Sequence, residues 1–201
     1  IRFGGTPSDS SLHRFIDKCR EMGYKIMLYP MIMLDLEGKP WRGHITGSYK
    51  DVNNFFDKEH GYNDFIMHYA KTFGDKVDCL AIGSELKNIT SIQENNHYIA
   101  VDNLISLAKN AKSFCKTLTY AADWSEYHHD NIGNYNLDAL WASEYIDVVG
   151  IDAYFPLTND ENQDVKKGWE SGECYDEYEA PYALKNIRYW WENYHYNNGQ
   201  K

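Results

Sequence analysis

The chain has 201 residues, 43% hydrophobic and 15% aromatic, with a formal net charge of −10. Such a length can bury a substantial core as one globular unit, and the acidic balance argues against nucleic acid as a partner, because phosphate-backbone binding calls for a basic face. No apolar stretch approaches the ~20 residues of a membrane span, no secretory pattern opens the chain, and Cys19, Cys79, Cys115 and Cys174 show no C-x-x-C spacing; a soluble chain without a disulfide framework is expected.

Residues 6–11, Thr-Pro-Ser-Asp-Ser-Ser, read as a turn and helix N-cap, after which Leu12, Phe15, Ile16, Cys19 and Met22 recur at helical spacing until Gly23. Residues 25–33 form a nearly continuous apolar run, the pattern of a strand buried on both faces, with Pro30 tolerable only near its end. A loop rich in Gly, Pro and aromatic residues is expected from Leu34 to Asp51. Tyr62, Phe65, Ile66, Tyr69, Ala70 and Phe73 then step by three and four, an amphipathic helix, and the apolar run from Val77 ends in Glu85. Between Ile99 and Cys115 the positions Val101, Leu104, Ile105, Ala108 and Ala111 repeat the helical period. Residues 117–123 read as a strand ending in Asp123, Asn136 to Ser143 as a shorter helix, and residues 146–152 as a strand ending in Asp152. Phe155 to Glu179 is a long acidic insertion, a solvated loop or a binding lid. Leu184, Ile187, Arg188 and Trp191 carry helical spacing through the tail.

This alternation of strands and helices implies an α/β fold with a parallel sheet, either doubly wound or closed into a barrel. Carboxylates on successive strand tips favour the (β/α)8 TIM barrel, whose catalytic face is the C-terminal rim of its strands. Such a barrel normally needs about 250 residues and eight strands. Four strong strands and a remnant at Ile1 to Phe3 are countable, so residues 1–201 read as one barrel domain, incomplete at both ends.

Glycoside hydrolysis uses a protonated carboxyl for the leaving oxygen and a second carboxylate to attack or to activate water. Glu85 suits the first role, since an apolar approach strand desolvates its carboxyl and raises its pKa. Asp123, Glu126 and Asp152 are candidates for a partner, for sugar-hydroxyl contacts, or for anchoring a loop. Trp41, Trp124 and Tyr154 lie beside the rim, where rings stack on sugar faces or simply pack. Arg42 and His44 sit next to Trp41 and could select an acidic or N-acetylated sugar. The histidines offer no H-E-x-x-H or H-x-x-x-H on a clear helix. No nucleotide, dinucleotide or serine-hydrolase motif occurs either, so neither a metal nor an organic cofactor is expected.

At Gly4–Asp9, Met27–Pro30, Trp41–Ser48, His68–Ala70, Ile82–Leu86, Thr119–Tyr127, Leu140–Trp141 and Val149–Tyr154 the sequence resembles the TIM-barrel-like domain of gene transfer agents and related phage-tail proteins. That domain is itself similar to glycoside hydrolases of the large Glu/Glu clan. The resemblance implies that Glu85 ends the fourth barrel strand, the acid/base position, and that residues 25–33, 117–124 and 146–154 are the third, fifth and sixth strands. It also implies a polysaccharide substrate, tail-assembly proteins as partners, and a location open between bacterial cytoplasm and the tail of a phage-like particle. Two departures stand out. The clan has Asn directly before the acid/base residue where this chain has Ser84, a shorter side chain with a different reach, and the clan's nucleophile, a glutamate ending the seventh strand, has no counterpart before Lys201. A non-catalytic carbohydrate-binding or structural module of a tail assembly is the alternative, because fold does not fix activity.

Overall fold

A computed structural model describes residues 6–154. The expectations for residues 1–3, for the insertion 155–179 and for the helix in the tail lie outside the described residues. The chain divides into two units, Ile1–Ala153 and Tyr154–Lys201, and the architecture below is that of the first.

Helix α1 (Asp9–Glu21) starts where Ser8 accepts the Ser11 amide at 3.2 Å, with Asp9 in its first turn and Lys18 and Arg20 in its last, as the helix dipole favours. It ends as expected at Gly23, which takes a φ of 80° that other residues resist. Strand β1 (Met27–Leu28) follows, then a 3-10 turn at Arg42–His44 and helix α2 (Tyr49–Asp57). Helix α3 (Tyr62–Phe73) leads to strand β2 (Cys79–Ser84) and the single turn α4 (Lys87–Thr90). A small hairpin, β3 (Gln93–Glu94) and β4 (His97–Tyr98), precedes α5 (Ile99–Ala111), β5 (Leu118–Asp123), α6 (Asp138–Trp141) and β6 (Val148–Asp152).

The main sheet has the order β1-β2-β5-β6 with every pair parallel, as the alternating pattern requires. Both central strands are almost wholly buried, which matches their unbroken apolar runs. Helices α2, α3 and α5 pack on one another, and α3 and α5 cover β2. Phe56, Ile66, Phe73, Leu80, Ile82, Leu104 and Leu118 fill the layer between sheet and helices.

Two sequence expectations change, and a hairpin is added. The run 25–33 is not a strand buried on both faces: only Met27 and Leu28 join the ladder, and Met27 is 53% exposed. Pro30 has no N–H to extend the pairing, and β1 pairs on one side only among the described residues. The loop from Leu34 gives way to α2 earlier than Asp51, because Ser48 and Asp51 form a reciprocal capping box. The hairpin turns through Asn95 and Asn96 with φ of 51° and 64°, the left-handed pair of a type I′ turn.

The sheet is strongly curved, and one contact proves it. Tyr29 stands just past β1 and Asp152 ends β6, with two strands between them, yet the Tyr29 hydroxyl donates to Asp152 Oδ2 at 2.5 Å. Only a sheet rolled toward a barrel brings its first and last strand tips together.

A bulge sits between β2 and β5. Ala81 pairs with Thr119 and Ser84 with Ala121, so three steps on one strand match two on the other. Bulges re-aim side chains beside functional sites. Glycine is required at this bulge, since a Cβ on Gly83 would stand 2.9 Å from two carbons of the Tyr120 ring and 3.0 Å from the Tyr62 hydroxyl. Gly83→Ala should therefore lower the unfolding free energy by about 1–3 kcal/mol, the usual cost of overpacking. Urea denaturation of the two proteins checks it, and an unchanged midpoint would show that the ring has room to yield.

Candidate functional site

Three carboxylates end neighbouring strands. Glu85 follows the last residue of β2, Asp123 closes β5 and Asp152 closes β6, where the two aspartates are register partners. Glu85 takes a φ of 48°, an unusual left-handed conformation for a long side chain. Its amide donates to Ala121 O at 2.9 Å, which keeps it tied to β5 as the chain turns off the strand.

The loop after β1 supplies the cationic side of the site. Trp41 Nε1 donates to Glu85 Oε2 at 2.5 Å, and Arg42 Nη2 pairs with the same oxygen at 2.7 Å. The Arg42 and Glu85 side chains are 10% and 7% exposed, so this is a buried ion pair. The indole lies across Gly43: a Cβ there would stand 2.3 Å from the ring.

Arg42 also reaches Ser84, donating from Nε to its carbonyl at 3.1 Å and from Nη2 to its Oγ at 2.8 Å. Tyr29 has one proton and gives it to Asp152, so the Ser84 hydroxyl donates to Tyr29 across the short contact between them. The polar chain therefore runs in one direction, from Arg42 through Ser84 and Tyr29 to Asp152.

Asp152 neighbours Glu85 and helps to raise its pKa. A second carboxyl beside the first disfavours the charged form of Glu85. Burial raises the Glu85 pKa above the ordinary glutamate value, while the Trp41 bond and the Arg42 charge oppose the rise and the neighbouring Asp152 adds to it. Trp41→Phe should consequently raise the Glu85 titration midpoint and Asp152→Asn should lower it, both read from carbon-13 carboxyl shifts in labelled protein. Shifts in the opposite senses would break this account of the charge balance.

The remaining rim residues are held differently. Asp123 is engaged by its own loop, Oδ1 accepting the Ser125 amide at 2.9 Å and the Ser125 hydroxyl, while Lys87 Nζ donates to Ser125 Oγ at 2.6 Å. Trp124 is half-buried. Tyr154 follows β6 and is 73% exposed.

Glu126, a candidate for a partner, a sugar contact or a loop anchor, lies 1% exposed. It accepts from Thr90 Oγ1 at 2.6 Å, the Tyr120 hydroxyl at 2.9 Å and the Asp123 amide at 3.1 Å. Burial pushes its pKa up to about 7 against these three bonds. Between its ordinary 4.5 and about 7 the folded chain thus holds a proton that the unfolded chain has lost. Stability from this group falls as pH rises through that window and is flat above it. The melting temperature of Glu126→Gln should lose this slope relative to the parent. Identical pH profiles for the two proteins would mean that Glu126 titrates at its ordinary value.

Tyr29, Tyr120, Thr90 and Lys87 are absent from the sequence-derived site. A hydroxyl before Pro30 at the end of an apolar run is the signal for Tyr29. Tyr120 and Thr90 are buried and Lys87 is half-buried, and no local pattern marks them. Among the described residues no group of three or more His, Cys, Asp or Glu side chains is placed to hold a metal ion, and no helix is long and apolar enough to cross a membrane.

A parallel, curled sheet with helices outside and acidic strand ends gathered on one rim defines an α/β protein of the TIM-barrel type, incomplete over these residues. A solved complex structure of a GH113 β-1,4-mannanase is similar, with a TM-score of 0.53 and 20% identity over 93% of this chain and 49% of that one. The chain thus spans about half the length of that enzyme, and the likeness is one of fold. The GTA TIM-barrel-like domain matches residues 60–181, more than half of the chain, and the protein belongs to that family. No curated protein matches the sequence.

Proposed function

We propose that this chain carries the proton-donor half of a glycoside hydrolase site, with Glu85 as general acid toward the glycosidic oxygen of a cell-envelope polysaccharide. The observation that carries the reading is the Glu85 carboxyl buried at a strand tip beside Asp152, both of which raise its pKa. A general acid must hold its proton until the leaving oxygen arrives, and desolvation beside a second carboxyl favours that state. Trp41 and Arg42 lie at the same carboxyl and would contact the sugar flanking the scissile bond. Trp124 and Tyr154 are proposed as stacking surfaces, with Ser84, Asp123 and Asp152 as polar contacts. Family membership supports a setting in a gene transfer agent or phage-tail-like particle, with tail proteins as partners.

The second carboxylate of the reaction is not among these groups. Asp152 is engaged by the Tyr29 hydroxyl, and Glu126 is buried among Thr90, Tyr120 and the Asp123 amide. Removing one member of a catalytic set typically costs several orders of magnitude in rate.

A second reading is favoured by a specific observation: the buried Arg42 ion pair and the Trp41 bond stabilise Glu85 as a carboxylate. In a module that binds sugar without cleaving it, that would be the resting state.

Labelled protein titrated with β-linked hexose oligomers and peptidoglycan fragments tests both. Weak binding is expected at the Trp41 and Trp124 signals, with millimolar affinity or about −4 kcal/mol and turnover near background. Clear turnover abolished by Glu85→Gln would mean that one of the present carboxylates serves as the partner. No shift at those indoles in folded protein would move the assignment to a structural module.

A further inference from the structure

Glu85 sits at the end of β2 with a φ of 48°, a conformation disfavoured for any side chain with a Cβ and sustained only where the surroundings impose it. Its own amide is fixed by Ala121 O. The next peptide is fixed by a side chain: the Leu86 amide donates to the Tyr120 hydroxyl at 2.8 Å. The peptides on both sides of Glu85 are therefore held, and the second depends on a phenol from the neighbouring strand.

A phenol that accepts from an amide keeps its own proton to give away. Tyr120 gives it to Glu126 Oε1 at 2.9 Å, and both side chains are fully buried. Glu126 is in turn located from two further elements, by Thr90 at the end of α4 and by the Asp123 amide at the end of β5. Asn136 extends the network with a 3.4 Å bond to Thr90 Oγ1. Gly83 makes it possible, since a side chain there would push the Tyr120 ring away.

We propose that Glu126 is a positioning residue for Glu85: through the Tyr120 phenol it holds the Leu86 amide, and so keeps the left-handed turn that presents the Glu85 carboxyl to Trp41, Arg42 and Asp152. The functional meaning rests on the reading of Glu85 as the proton donor, but the clamp is a statement about geometry and is tested separately.

Amide hydrogen exchange and carboxyl titration in labelled, folded protein supply the test. Tyr120→Phe keeps the ring and deletes the oxygen. It should speed Leu86 exchange roughly tenfold, the effect of losing one hydrogen bond, and lower the Glu85 midpoint toward the ordinary range as the turn relaxes. Leu104 and Leu107 in α5 should keep their protection. Glu126→Gln retains an acceptor for the phenol and should leave Leu86 within about threefold of the parent, the rescue expected of a hydrogen-bonding role. Glu126→Ala should behave as Tyr120→Phe. If Glu126→Ala does not fold, Glu126→Met, which fills the space without an acceptor for the phenol, takes its place, and unchanged Leu86 exchange in either folded variant would overturn the role of Glu126.

Unchanged Leu86 exchange in folded Tyr120→Phe would overturn the clamp. Parallel acceleration at Leu86, Leu104 and Leu107 would overturn it too, because it would report general loosening of the core. An ordinary Glu85 midpoint in the parent would instead sink the proton-donor reading, and Leu86 exchange would still judge the clamp.

Discussion

The bond between Tyr29 and Asp152 is the constraint on which the rim depends. It joins the tips of the two outermost strands of the sheet, and so sets how tightly the strands curl and how near their acidic ends come to one another. Without that chord an open four-stranded sheet would follow its own twist, and Asp152 would stand away from Glu85. The chord is also directional. Arg42 anchors one end through Ser84, and each hydroxyl along the way passes its single proton toward Asp152.

The Glu85 carboxyl is the meeting point of opposed influences. Burial and Asp152 favour the proton, while Arg42 and Trp41 favour its loss. A site balanced in this way changes state on small perturbation, which is useful for a group that must release and recover a proton. The balance has a structural cost as well. Removing either member of a buried ion pair leaves an uncompensated charge, a loss of about 3–5 kcal/mol.

Much of this was legible in the residues. Strand tips at Glu85, Asp123 and Asp152 follow from three apolar runs, each ending in a carboxylate, and the helices α3 and α5 from positions spaced by three and four. Residues 25–33 misled because an apolar run does not reveal whether a strand is central or at an edge. The capping box at Ser48 and Asp51 and the Asn95–Asn96 turn were written in the sequence, but as short signals inside segments dominated by loop-forming residues. For Glu126 the residues left a partner, a sugar contact and a loop anchor open, since it lies only three residues past Asp123. The chain turns after β5 and brings the Glu126 carboxyl back onto the Asp123 amide, so sequence proximity to the rim became burial behind it. Tyr29 and Tyr120 carried no local signal of their bonds to Asp152 and Leu86, which lie 123 and 34 residues away along the chain.

The left-handed backbone at Glu85 sets two selection pressures against each other. By conformational preference alone, Gly or Asn would suit this position better. Either would leave the Arg42 guanidinium and the Trp41 indole N–H facing an absent partner in a buried place. Backbone comfort and side-chain chemistry thus ask for different residues at one position, and a survey of variants for thermal stability alone would score the site by the wrong criterion. If Glu85 is the proton donor proposed above, the stability–function trade-off common to working sites is concentrated in a single torsion angle.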